Sequence, residues 1–153
     1  MKINRTFIII LAFSILIVYA NKVNALEVNA STPLEANKNY NYVPGNLIDR
    51  SISSAWCTNG KLVPSLWISL KYPKPTQLTG IGFINGYARN MISFTNNARP
   101  KELFAKVEGK EPVKIELADS PELQWIEIGP ITGMNVKFDI KAIYPGLISR
   151  SKG

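Results

Sequence analysis

Hydrophobic positions in this chain follow two patterns. From Phe7 to Ala20 they form an unbroken uncharged run with five isoleucines and three other large aliphatics, preceded by Lys2 and Arg5. Beyond that run nothing reads as a long amphipathic helix. Short segments instead alternate or collect branched and aromatic residues: 66–72, 78–84, 102–107, 113–117, 124–128 and 136–143. In the last, Val136, Phe138 and Ile140 share one face and Lys137, Asp139 and Lys141 the other, the period of a half-buried strand. Leu66, Ile68 and Leu70 oppose Trp67 and Ser69 in the same way, and Trp125 alternates with Ile126, so one of those two must face outward. Turn residues punctuate the chain at Pro44-Gly45-Asn46, Asn59-Gly60, Pro73 to Pro75, Asn85-Gly86, Asn96-Asn97, Gly109, Gly129-Pro130 and Pro145-Gly146. Short strands between turns predict an all-β sandwich.

The opening run is the core of a secretory leader: basic start, apolar stretch, then small residues at cleavage spacing. Cleavage can follow Ala20 or Ala25. The second is preferred because it places Asn21 and Lys22 between the apolar run and the cut. A membrane-spanning helix needs about 20 apolar residues, more than this run supplies. The expected organisation is a signal peptide over 1–25, a loosely ordered polar arm over 26–45 and one sandwich domain over 46–153. The protein is thus expected to be secreted, periplasmic or at the cell surface, with no membrane span after cleavage.

Charge and residue usage narrow the chemistry. The formal charge is +7, and three of those charges (Lys2, Arg5, Lys22) leave with the leader, so the mature chain carries +4. Its basic residues are scattered among acids, which gives no argument for nucleic acid. Histidine is absent. That removes histidine-activated nucleophiles, histidine-ligated zinc and histidine as a general base. Cys57 is the single cysteine, so no intrachain disulfide can form. It reads as a small buried apolar residue beside Trp56, with an intermolecular disulfide as the other reading.

Asn46-Leu47-Ile48-Asp49 followed by Ser54-Ala55-Trp56 resembles the start of discoidin-like, or coagulation-factor type C, domains. Further segments are similar to one bacterial branch, the glycan-binding or translocation domain attached to NAD glycohydrolases. They are Trp67-Ile68-Ser69-Leu70, Pro73-Lys74-Pro75, Gly80 to Ala88, Asn97 to Lys101 and Ile143-Tyr144-Pro145-Gly146. The resemblance spans about residues 31–149. It implies an eight-stranded jelly-roll-like β-sandwich with a ligand site on loops at one end, and sugar or surface binding in place of catalysis. Many such domains hold a structural calcium near the early Asp, closed by a late Glu. Here Asp49 and Ser54 match, but Ile148-Ser149-Arg150-Ser151 puts an arginine near the closing position, where it would repel a cation. No metal and no cofactor is expected, and the final strand looks cut short.

The candidate glycan-binding residues are Tyr87, Arg89, Asn90, Phe94, Asn97 and Arg99. They bring an aromatic face, amides and guanidinium groups to neighbouring loops, the mix that a sugar ring and its hydroxyls require. Structural readings stand beside this one. Asn85-Gly86-Tyr87 also reads as a tight corner, Arg99 as the brace of its loop, and Trp56 as a core residue. The expected partner is a glycan on a cell surface or matrix. The alternative is a separate protein partner, bound by an adhesin domain on the same fold. A hydrolase built on Asp49, Asp119, Glu122 and Asp139 is a third reading, but nothing in the sequence pairs those carboxylates.

Overall fold

A computed structural model describes residues 10–19 and 27–147 of the chain. Its strands are β1 (Ile10–Tyr19), β2 (Glu27–Ala30), β3 (Trp56–Asn59), β4 (Leu66–Asn85), β5 (Arg99–Val107), β6 (Val113–Glu116) and β7 (Gln124–Tyr144), with one short α-helix, α1 (Met91–Asn96), and two 3-10 turns at Pro44–Leu47 and Gly60–Leu62. All pairings are antiparallel, in the order β3-β1-β4-β7-β5-β6, with β2 also on β4.

Four of the strands expected from the sequence merge into two. The segments 66–72 and 78–84 are the two ends of β4, and 124–128 and 136–143 are the two ends of β7. The prolines that were expected to end these segments bend them instead. The β4–β7 register slips between Lys71 and Thr76 and again between Leu78 and Gly80. Proline lacks an N–H and is tolerated where a ladder is irregular. The two halves of β4 then take different second neighbours, β2 along Ile68–Lys71 and β1 along Gly80–Ile84.

One bent strand pair thereby feeds both layers of an all-β, discoidin-like sandwich. Phe83 from one half of β4 meets Phe138 from the far half of β7 edge to face, with ring centroids 6.0 Å apart. The core around them includes Leu66, Ile68, Leu70, Ile81, Leu103 and Ile140, all buried. The pair at 125–126 resolves outward for Trp125, 46% exposed, whose ring lies across Gly80. A Cβ at Gly80 would stand 2.7 Å from that ring.

Residues 27–45, expected to be a loosely ordered arm, are fastened to the sheet. Trp67 N donates to Ser31 Oγ at 2.7 Å, Leu34 N to the Cys57 carbonyl at 2.8 Å and Thr58 Oγ1 to the Thr32 carbonyl at 2.6 Å. Their anchors on the sheet are two backbone groups and one threonine hydroxyl, which polarity alone does not reveal. The arm covers a second small cluster, in which Leu34 and Tyr42 pack on Ala55, Cys57 and Tyr87. Cys57 is fully buried there and burial pushes its thiol up to about 12, which leaves no accessible thiolate for an intermolecular disulfide. Trp56 is a core residue, its indole N–H donating to the Ser31 carbonyl at 3.2 Å.

Ile10–Tyr19 fall within the expected leader and form β1 in the middle of the sheet order. Both expected cleavage points, Ala20 and Ala25, lie outside the described residues, as do Ile148 to Gly153 with the expected truncated strand and Arg150.

Two buried polar groups make the packing testable. Tyr72 is fully buried and its hydroxyl has no hydrogen-bond partner among the described residues. An unsatisfied buried hydroxyl costs about 1–3 kcal/mol. Tyr72→Phe is therefore expected to leave stability unchanged or raise it by about 1 kcal/mol, and a clear loss in urea denaturation would refute this. The second group is Asp139, 8% exposed and flanked by Nζ of Lys106 at 2.6 Å, Lys137 at 3.4 Å and Lys141 at 4.0 Å. Burial pushes its carboxyl up, but the Lys106 hydrogen bond and the charges of Lys137 and Lys106 outweigh that and hold it low. A depressed folded pKa stabilises above the unfolded value of about 3.9 and loses that contribution as pH falls through the folded value. Asp139→Asn is expected to lower stability by about 1 kcal/mol at pH 7 and to flatten its fall below about pH 4. An unchanged acid limb would show that the lysines contribute nothing.

Candidate functional site

The end of β4 turns sharply into the loop that carries the candidate residues. Gly86 adopts φ +67°, where a side chain is strained, and a Cβ there would stand 2.7 Å from Arg99 Cγ. Asn85 is buried and its Nδ2 donates to the Pro100 carbonyl at 2.8 Å and the Ala118 carbonyl at 3.2 Å. The corner is thus clamped to the start of β5 and to the loop after β6.

Arg99 is the centre of that clamp. It is 4% exposed and binds Asp119 through two bonds, Nε to Oδ1 at 2.6 Å and Nη2 to Oδ2 at 2.8 Å. Its Nη1 donates to the carbonyls of Phe94 at 3.1 Å and Asn97 at 2.7 Å, and the guanidinium lies 4.7 Å from the Phe94 ring centre. Four of its five N–H donors are thus taken, and at 4% exposure the side chain offers a ligand little access. Phe94 is buried beneath it. Asn90 caps α1 by accepting from Ser93 N at 2.8 Å, and Asn97 closes the same helix by donating to the Ser93 carbonyl at 2.7 Å. Tyr87 is buried and its hydroxyl donates to the Ser53 carbonyl at 3.2 Å. Five of the six candidates therefore build the loop.

Arg89 is different. It lies exposed past the corner, its guanidinium carbon 4.9 Å from the ring centre of Tyr40, and it donates to the Tyr40 hydroxyl and bonds Tyr87. Tyr40 comes from the arm and was not among the candidates. The turn that presents it is made by Asn37, whose Oδ1 accepts from Asn39 N at 2.9 Å and Tyr40 N at 3.0 Å. Asn37 Nδ2 in turn donates to the Tyr42 hydroxyl at 3.0 Å. Asn37, Tyr40 and Tyr42 repeat the mix of amide and aromatic groups found on the 87–99 loops, so the signal stood in the sequence. Met91 and Ile92, at the start of α1, are 60% and 72% exposed.

This arrangement can hold a hydroxylated ring: an aromatic face, a guanidinium with open directions toward solvent, and amides nearby. It has little to offer as acid–base machinery. Asp119 is tied to Arg99 and Asp139 to its lysines. Asp49 accepts from Ser51 N at 2.8 Å and from Ser54 Oγ at 2.5 Å. Among the described residues no group of three or more Cys, Asp or Glu stands together as metal ligands would. A separate cleft of about 440 Å³ runs between Ala30–Pro33 and Ser65–Trp67, and none of the six candidates lines it.

The family model described as the NAD glycohydrolase translocation F5/8 type C domain matches residues 18–150. Among solved structures, the fold is similar to that of CpGH89CBM32-5 from Clostridium perfringens, solved in complex with GalNAc-β-1,3-galactose. The TM-score is 0.56 at 16% identity, over 76% of this chain and 84% of that one. No curated protein matches the chain.

The clamp makes a stability prediction. Arg99→Ala removes a bidentate buried pair and leaves the Phe94 and Asn97 carbonyls without their donor. Asp119 is 38% exposed and can rehydrate, so the loss is expected at about 2–4 kcal/mol, below that for a fully buried pair. A midpoint in urea within error of the parent would mean the loop does not depend on this residue.

Proposed function

We propose, from the premise that the chain belongs to the NAD glycohydrolase translocation F5/8 type C domain family, that it is a non-catalytic glycan-binding module working outside the cytoplasm. It attaches to sugars on a cell surface or matrix through Tyr40 and Arg89. The observation that carries this reading is the contact of exposed Arg89, past the clamped corner, with the half-buried ring of Tyr40. Tyr40 supplies a ring for the C–H face of a pyranose, and Arg89 supplies donors for hydroxyl or carboxylate groups. The sugar complex of the C. perfringens neighbour lends support to this use of the fold. Export is supported by the basic start and the apolar run from Phe7 to Ala20. Among the described residues no helix is long and apolar enough to cross a membrane.

A second reading has its own observation. Met91 and Ile92 stand exposed two and three residues past Arg89, an apolar tip suited to binding another protein. On that reading the module is an adhesin or assembly domain without sugar specificity.

A glycan array followed by titration separates the two. Arg89→Ala and Tyr40→Ala are each expected to weaken binding to the best glycan by about 1–3 kcal/mol, or roughly 5- to 150-fold. Arg89→Ala should shift stability by less than about 0.5 kcal/mol. Unchanged affinity in both variants would sink this site. An array with no binder, together with a protein partner that no longer binds once Met91 and Ile92 are replaced, would establish the second reading.

A further inference from the structure

Strand β1 fills a position that its neighbours need filled. Its first half pairs with β3, from Ile10 opposite Asn59 to Phe13 opposite Trp56. Its second half pairs with β4, from Ile15 opposite Ile84 to Tyr19 opposite Gly80. Among the described residues β3 has no other strand beside it, and β4 meets no other strand on that edge along 80–84. Without β1, most backbone groups of β3 and one edge of β4 lose their partners, and buried unpaired backbone groups are rarely tolerated. An open edge is also a template for another chain.

The position has a distinct chemistry. Its neighbours are buried in succession, Trp56, Cys57 and Thr58 on β3 and Gly80, Ile81, Gly82 and Phe83 on β4, where Gly80 lies under the outward-facing Trp125 ring. One face of β3 joins the main core through Trp56, and the other joins the small cluster under the arm through Cys57. A strand buried on both faces must be apolar throughout, in a continuous run without alternation. Residues 10–19, Ile-Leu-Ala-Phe-Ser-Ile-Leu-Ile-Val-Tyr, meet that demand. The same property makes them the core of a secretory leader. The segment cannot serve both roles, because cleavage after Ala20 or Ala25 removes it from the sheet.

We propose that the space between β3 and β4 is a strand-acceptor site. Once the leader is removed, it takes an uncharged, branched-aliphatic strand of about ten residues, the length of the segment now in place, from another polypeptide, antiparallel to both neighbours. This site is independent of Tyr40 and Arg89, so glycan binding by the intact chain tests the other reading separately.

The experiment uses the full chain with a specific protease site placed between Ala20 and Leu26, cut after folding. A fluorescent peptide of residues 10–19 with a short lysine tail is then added in excess, and its co-elution with the domain is followed together with amide exchange at 56–59 and 80–84. The cut chain is expected to take up one peptide per domain, saturably, while the uncut chain takes up none. Lysine in place of Ile15 and Ile17 should abolish uptake. N-terminal sequencing of exported protein should begin near Leu26. If the cut chain aggregates alone but is rescued by the peptide, the proposal also stands. It is overturned if the cut chain excludes the peptide, if amides 80–84 stay protected after the segment has left, if excess peptide cannot prevent aggregation, or if exported protein retains residues 10–19.

Discussion

The pairing of β4 with β7 is the constraint on which the other elements depend. It runs from Leu66 opposite Ile140 to Phe83 opposite Gln124, and its register slips twice between Lys71 and Gly80. A regular ladder of that length would stay in one layer and leave one of its faces uncovered. The slips turn it, so that the two halves of the same strands look at each other across the core. Phe83 and Phe138 meet only because of that turn. The placement of the other strands follows: β2 on one half of β4, β1 with β3 on the other, and β5 with β6 beyond β7.

The loop end is organised by a second, smaller constraint. Arg99 collects Asp119, two loop carbonyls and the Phe94 ring into one buried node, and Gly86 leaves the room its methylenes occupy. A guanidinium can do this because it is planar and carries five donors in fixed directions. The node spends the polar groups that a sugar would need and leaves an exposed, rigidly mounted remainder at Arg89. The arm completes that remainder, since the Asn37 turn brings Tyr40 against Arg89. A binding surface on such a base loses little side-chain freedom when a ligand arrives.

Much of the fold was legible because it rests on local pattern. The alternation at 136–141 and 66–70 placed strands and faces correctly, and Asn85-Gly86 announced the corner. The prolines were misleading because their usual effect is to end a strand, and only the partner strand reveals a register slip that accommodates them. At the candidate site, composition pointed to loops whose polar groups are largely engaged with one another. Asn90, Phe94, Asn97 and Arg99 have the chemistry of ligand residues, yet their partners lie within the same loop or at Asp119, twenty residues on. Local sequence does not say which donors are already taken. Tyr40 was missed for the converse reason: polar, Asn-rich residues read as a free arm when the hydrogen bonds that fasten it run to backbone groups of Cys57 and Trp67.

The apolar run at 10–19 shows a deeper limit. A leader core and a strand buried on both faces require the same thing, consecutive uncharged residues without alternation. Sequence therefore reads both from one segment, and only the surroundings distinguish them. Here the surroundings are runs of successive buried residues, Trp56 to Thr58 and Gly80 to Phe83. That demand is written into residues 56–59 and 80–84, which stay when a leader goes. The sheet thus retains its need for a strand whatever becomes of the segment that now meets it.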